Sequence, residues 1–64
     1  MTIPEYVKKS FDGKERMWIK VIAQVKGGFI GTLANNPVVI KDLKHGDIVF
    51  VKHEEIVERR NKQL

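Results

Sequence analysis

The side chains that could support catalysis are few and scattered. Four hydroxyl groups and two imidazoles are the candidate nucleophiles and bases: Thr2, Tyr6, Ser10, Thr32, His45 and His53. A nucleophile needs a base within hydrogen-bond reach, and no nucleophile motif surrounds any of these hydroxyls. His53-Glu54-Glu55 begins like the zinc-protease helix, but that chemistry needs a second His at position 57, which is Val. We therefore expect no enzyme activity.

Metal and cofactor sites are equally weakly indicated. Asp42, His45 and Asp47 could share a cation, but a polar turn is the simpler interpretation, because three scattered ligands rarely make a site. The chain has no cysteine, which excludes thiolate ligands and disulfides. The segment from Gly27 to Gly31 lacks the Lys-Ser/Thr of a phosphate loop. We expect neither a metal nor a cofactor.

Trp18 is the most informative single residue. Met17 and Ile19 on either side of it are apolar, so an extended strand would turn the indole away from them. Arg16 and Lys20, two positions away, would share its face. An indole between two cations can anchor a protein interface, or stack on a nucleobase while the cations hold phosphates. The alternative is that a side chain from the amino-terminal segment covers the ring as a minor second core: Tyr6, Val7 or Phe11.

The charge balance adds a second, weaker indication of a binding role. Twelve Lys and Arg against eight Asp and Glu give a net charge of +4, which favours an acidic partner such as nucleic acid. Acidic residues are interleaved with the basic ones, however, as on an ordinary solvated surface. The candidate phosphate contacts lie near the two ends of the chain: Lys8, Lys9, Arg59 and Arg60.

The length allows one small domain. Sixty-four residues, 42% apolar and 31% charged, suit a single globular unit over 1–64, with a core over 15–58 and flexible ends over 1–12 and 59–64. No apolar run approaches the roughly 20 residues that cross a bilayer, and the start of the chain lacks a signal peptide's apolar segment. We expect a cytoplasmic protein that does not bind membranes.

The elements that would carry these residues begin with a long strand. Glu15 to Val25 is rich in β-branched and aromatic residues, and its odd positions from Met17 onward are all apolar, which predicts the core face. Ahead of it, Thr2 and Glu5 have the spacing of a capping box. The amino-terminal segment therefore fits either a short helix over Pro4–Lys9 or a frayed terminus.

The next turn decides which side chains join Trp18. Gly27-Gly28 predicts a hairpin loop before a returning strand from Phe29 to Ala34. A two-residue loop pairs Val25 with Ile30, whereas a three-residue loop pairs Val25 with Phe29, and a one-residue slip moves Phe29 and Leu33 to the other face. With the two-residue loop both could extend the surface around the indole. Between them, the missing side chain of Gly31 suggests a close approach by another backbone or a sharp bend.

The rest of the chain predicts short strands and turns. Val38–Ile40 fits an edge strand, and Ile48–Val51, with four consecutive apolar residues, fits a strand buried on both faces. His53–Glu55 fits a helical turn, followed by an extended Ile56–Glu58 and a loose basic end. The predicted fold is all-β, a small antiparallel sheet closing into an SH3-like barrel. The alternative is an α+β fold in which an open antiparallel sheet carries one helix on its face.

Three segments together resemble a known family. Glu15–Val21, Gly31–Pro37 and Leu43–Val49, in this order, are similar to a bacterial family of small domains of unknown function. Its members share an E-R-M-W-V-type strand, a G-x-L-x-N-x-P turn and a G-D-x-V strand. The resemblance implies a β-rich bacterial or phage protein. The family has no established activity, so it carries over no site residues, and its frequent acidic residue before the Pro is Asn36 here.

The sequence thus favours a non-catalytic binding module. Trp18 and Phe29 would anchor a protein partner or a second copy of the chain, with Leu33 beside them and Arg16 and Lys20 at the rim. The alternative partner is RNA or DNA, stacked on the indole and held by the basic residues.

Overall fold

A computed structural model describes residues 3–61, which form one antiparallel sheet of five strands. The strands are β1 (Tyr6–Phe11), β2 (Glu15–Val25), β3 (Gly28–Leu33), β4 (Ile48–Lys52) and β5 (Ile56–Arg60). Their order across the sheet is β4-β3-β2-β1-β5. A short 3₁₀ turn, His53–Glu55, joins β4 to β5. The all-β antiparallel prediction is confirmed, while closure into an SH3-like barrel stays a prediction. Residues 3–61 contain no α-helix, so the alternative of a sheet with a covering helix is wrong.

One face of the sheet forms the core, because alternate residues of each strand point the same way. The buried apolar side chains come from β1 to β4: Val7, Phe11, Met17, Ile19, Phe29, Leu33, Val49 and Val51. Four partly buried side chains pack around them: Val21, Ile40, Leu43 and Ile56. The other face, hereafter the outer face, is turned to solvent.

The predicted amino-terminal helix over Pro4–Lys9 is wrong. Tyr6 to Phe11 is β1, which lies between β2 and β5 and pairs with both. The ends predicted to be flexible therefore contribute strands, since Arg59 and Arg60 belong to β5. Thr2 of the predicted capping box, and positions 62–64 of the predicted loose end, lie outside the described residues.

The β2–β3 hairpin differs from both predicted registers. Val25 pairs with Gly28, so the turn is Lys26-Gly27, with Gly27 at φ +85°. Farther along, the register shifts between Val21 and Ala23. This bulge exposes Ala23, so the predicted core face of β2 holds for Met17 and Ile19 but ends at Val21.

The predicted edge strand Val38–Ile40 is wrong, whereas the predicted strand Ile48–Val51 is confirmed as β4 but is not buried on both faces. Val38–Ile40 is a loop segment that does not pair with any strand. β4 lies at the sheet edge, so it is buried on one face only: Ile48 and Phe50 are 74% and 43% exposed. The predicted turn at His53–Glu55 and the extended segment from Ile56 are confirmed. No helix within residues 3–61 is long and apolar enough to span a membrane.

Candidate basic-aromatic surface

The outer face of β1, β2 and β5 gathers two aromatic and four basic side chains. The pairing sets Lys8 directly opposite Trp18 and places Tyr6 between Lys20 and Arg60. Directly paired residues of adjacent strands share a face, and so do residues two apart on one strand. We call this set the basic-aromatic surface: Tyr6, Lys8, Arg16, Trp18, Lys20 and Arg60.

Trp18 is half-buried at the centre of this surface. The Tyr6 ring meets it edge to face, with the ring centroids 6.5 Å apart. The Lys8 ammonium nitrogen lies 4.8 Å from the indole centroid and the Arg60 guanidinium carbon 4.9 Å from it. Cations at this range are attracted by the negative face of the indole. Trp18 lies on the outer face, as its position in β2 predicts, and the Tyr6 ring lies against it, as the alternative prediction of a covering side chain requires.

The cations around Trp18 differ in their exposure and in whether they form an ion pair. Lys8 also forms an ion pair with Glu58, 3.2 Å from nitrogen to oxygen. Arg16 and Lys20 are exposed, and neither forms an ion pair with any residue in the range 3–61. Exposed cations that form no ion pair can interact electrostatically with an acidic group of a partner. Arg16 and Lys20 are therefore the charges on this surface most available for binding.

Two of the predicted binding residues do not belong to this surface. Phe29 and Leu33 are 3% and 1% exposed and lie in the core. Their prediction depended on a loop of Gly27-Gly28. In the structure, the register shift between Val21 and Ala23 sets Leu33 opposite Ile19 and places both side chains on the core face. The apolar anchor of any partner here is consequently Trp18 with Tyr6, and not Trp18 with Phe29.

The four candidate phosphate contacts divide between the two faces. Lys8 and Arg60 lie against Trp18, as described above. The Lys9 ammonium nitrogen instead lies 3.5 Å from a Glu55 carboxylate oxygen and 4.9 Å from the Phe11 ring centroid. These contacts place Lys9 on the core face. Arg59 pairs with Val7 and so is also turned from the outer face. Lys9 and Arg59 therefore do not belong to the basic-aromatic surface.

A loop locked onto β2 fixes the position of Trp18. The Trp18 backbone N–H donates to the Asn35 side chain, and the Trp18 carbonyl accepts from Ala34. The Glu15 carboxylate accepts the backbone N–H groups of the Val38–Ile40 segment at 2.9–3.1 Å. These hydrogen bonds, first that of Val38, hold the pKa of Glu15 below its usual value. Glu15 and Asn35 therefore support the surface by binding backbone N–H groups.

Two of the residues considered for catalysis and metal binding, His53 and Asp47, make contacts within the fold. The His53 ring meets the Phe29 ring edge to face at 5.2 Å. Asp47 accepts the Lys44 backbone N–H within its own turn, at 2.9 Å. Within the part of the chain that the structure describes, no group of three or more His, Cys, Asp or Glu side chains is placed to hold a metal ion.

The sequence indicated Tyr6 only as a side chain that could cover the Trp18 ring, and not as a member of a binding surface. Sequence reasoning missed that Lys8 and Arg60 contact the indole directly. The signal was present in β1, where Tyr6 and Lys8 alternate with Val7, the period-two pattern of a half-buried strand. Interpreting the segment as a helix hid that alternation.

Fold and surface together define a small all-β domain whose outer face carries an aromatic pair among cations. The chain belongs to a family described as uncharacterized proteins conserved in bacteria (DUF2314), whose model matches residues 2–60. The resemblance to a bacterial family of unknown function is thereby confirmed. No curated protein and no solved structure matches the chain.

Proposed function

We propose that this chain is a non-catalytic binding module that presents the basic-aromatic surface to a protein partner in the cytoplasm. The observation that carries the proposal is the half-buried Trp18 ring held between Tyr6, Lys8 and Arg60 on an otherwise solvated face. Trp, Tyr and Arg are the residue types enriched where protein interfaces concentrate their binding energy. The exposed Arg16 and Lys20 supply a cationic rim for acidic side chains of the partner.

The cations that lie against the indole favour a protein partner over a nucleic acid. A base that stacks on an aromatic ring needs a free ring face. Here the Lys8 ammonium nitrogen and the Arg60 guanidinium carbon lie 4.8 and 4.9 Å from the indole centroid, so a stacking base competes with these cations for the ring. An acidic side chain can pair with these cations where they stand. RNA or DNA remains the second candidate, favoured by the four cations on one face.

A charge-reversal pair tests the proposal. In Arg16→Glu/Lys20→Glu, two exposed cations beside Trp18 change sign while the core is untouched. The matched control Lys14→Glu/Lys26→Glu makes the same change in net charge at two exposed turn positions. Each protein is immobilised, incubated with a bacterial lysate, and its bound proteins are quantified by mass spectrometry. We expect the wild type and the control to retain the same partner and the Arg16/Lys20 variant to lose it. Equal recovery by both variants would contradict the proposal.

A titration of labelled single-stranded oligonucleotide at two ionic strengths tests the second candidate. Binding through several phosphates weakens steeply with added salt, because each neutralised phosphate releases counterions. The protein-partner proposal predicts no binding even at low salt. A salt-dependent affinity that Arg16→Glu/Lys20→Glu abolishes, and Lys14→Glu/Lys26→Glu does not, would replace the protein partner with a nucleic acid.

A further inference from the structure

The two edge strands of the sheet differ in character. β5 carries Glu58, Arg59 and Arg60, and charged side chains on an edge discourage other strands from adding to it. β4 reads Ile-Val-Phe-Val-Lys, so its only charge stands at its end. Its outer-face side chains Ile48 and Phe50 are 74% and 43% exposed. β4 is therefore an edge without the usual protection.

The pairing with β3 shows which backbone groups of β4 face outward. Leu33 donates to the Asp47 carbonyl at one end of the pair, and His53 donates to the Gly27 carbonyl at the other. Between these ends, the register matches every β4 residue with one β3 residue. In an antiparallel pair, hydrogen-bonded positions alternate, so Val49 and Val51 direct their N–H and C=O toward β3. Ile48 and Phe50 direct theirs away from the sheet.

These outward groups are unpaired within the described chain. Among residues 3–61, neither the N–H nor the C=O of Ile48 or Phe50 has a hydrogen-bond partner outside the strand pairing. The next outward N–H, that of Lys52, is already taken by the Glu55 carboxylate at 3.0 Å. The open stretch thus spans Ile48 to Phe50 and is closed at one end.

We propose that β4 pairs with β4 of a second copy of this chain, antiparallel, about a two-fold axis at Val49. In this register Ile48 of each copy lies opposite Phe50 of the other. The two N–H and two C=O groups left open on each copy then form four hydrogen bonds across the axis. The Lys52 N–H is not required, so its bond to Glu55 is kept.

The side chains fit the same register. Each exposed Ile48 lies beside a Phe50 ring on the outer face, an aromatic and β-branched pair of the kind that stabilises neighbouring strands. Phe50 already lies beside Ile30 on β3, so the contact extends an apolar stripe across the joined sheets. The cations of the basic-aromatic surface lie on β1, β2 and β5, away from the axis. The one charge of β4, Lys52, falls opposite Gly46 of the second copy in this register, so no two β4 charges face each other. The inference is independent of the proposed function, since it uses a different surface.

Sedimentation equilibrium over a concentration series tests the proposal. We expect the wild type to dimerise and Ile48→Lys to raise the dimer dissociation constant about tenfold or more, because a charge then faces Phe50 of the second copy. Val57→Lys is the matched control, since Val57 is an apolar residue, 54% exposed, on the other edge strand. It should leave the dissociation constant unchanged. A wild type that stays monomeric up to about 1 mM, or equal effects of the two variants, would overturn the proposal.

Two further measurements test the register itself. Phe50→Pro removes an outward N–H, which an edge strand tolerates, so we expect a folded monomer. Amide hydrogen exchange at Ile48 and Phe50 should slow as protein concentration rises, while exchange at Val57 stays constant. A dimer whose Ile48 and Phe50 amides exchange as fast as in the monomer would place the contact elsewhere and refute the β4 pairing.

Discussion

At the scale of single residues, Glu15 has the largest structural role of any charged side chain described. Its two carboxylate oxygens accept three successive backbone N–H groups, those of Val38, Val39 and Ile40. Three apolar residues in a row would otherwise suit a strand, but their donors are already satisfied by this carboxylate. The bond from Trp18 to Asn35 joins two of the sequence segments that carry the family resemblance, and Glu15 holds the loop that follows the second of them.

Glu15→Gln should release the loop from β2. Glutamine keeps the shape of the side chain, but it loses the charge and replaces one acceptor oxygen with an amide group that cannot accept. We expect faster hydrogen exchange at the Val38, Val39 and Ile40 amides and a lower melting temperature. Glu54→Gln is the control, because Glu54 is exposed and accepts no hydrogen bond among residues 3–61. Unchanged exchange at all three amides would show that the carboxylate does not hold the loop.

At the scale of elements, β1 shows where sequence patterns become ambiguous. Ile3, Val7 and Phe11 are spaced by four, which is close to one helical turn and is also an even number, as a strand face requires. Helix and strand therefore predict the same burial for Val7 and Phe11. Pairing with both β2 and β5 decides the outcome, and a local pattern does not contain that information.

β2 was predictable because its amino-acid composition favours a strand and because it pairs with β1 and β3 on both sides. Its long β-branched and aromatic run leaves a single interpretation, and its bounds match the prediction. The hairpin that follows was not predictable in detail, since either Gly27 or Gly28 can supply the positive φ of a turn. Position 28 requires glycine for a different reason: a Cβ on this residue would lie 2.0 Å from the Val51 carbonyl oxygen in β4. That constraint comes from β4. The bulge between Val21 and Ala23, which places Phe29 and Leu33 in the core, also has no local sequence signal.

Gly31→Ala should disrupt the pairing of β2 and β3. A Cβ at this position would lie 2.2 Å from the Lys20 carbonyl oxygen, so the backbones must separate. We expect the unfolding free energy to fall by about 3 kcal/mol, at the upper end of the cost of overpacking. The control Gly13→Ala has open space but a φ of +67°, so it should cost about 1–2 kcal/mol. Urea unfolding followed by Trp18 fluorescence measures both, and equal costs would show that the close approach is relaxed in solution.

At the scale of the whole molecule, one sheet provides three distinct surfaces. The core face supplies stability, the outer face of β1, β2 and β5 carries the basic-aromatic surface, and the β4 edge is open to a second strand. The sequence identified Trp18, Arg16 and Lys20 from strand alternation within β2. Tyr6 comes from β1, whose strand the sequence did not predict, and Arg60 from β5, at the far end of the chain, so only the strand pairing brings them together.

Stability should also depend on pH in a defined direction. The backbone N–H of Lys52 lowers the pKa of Glu55, as that of Val38 does for Glu15, and both carboxyl groups ordinarily titrate near 4.5. A pKa lowered on folding means that the unfolded chain binds more protons, so the stabilisation is complete above about pH 5 and is lost as the pH falls toward 3. We expect the urea midpoint of the wild type to fall over this range.

Glu15→Gln/Glu55→Gln should begin from a lower midpoint at pH 7 and change less between pH 5 and 3, because it lacks the two groups that take up protons on unfolding. The control Asp42→Asn/Glu54→Gln also removes two carboxylates, both exposed and neither accepting a hydrogen bond within residues 3–61. It should keep the wild-type pH dependence. If the two double variants lose equal amounts of pH dependence, general charge, and not the two hydrogen-bonded carboxylates, sets the acid sensitivity of the fold.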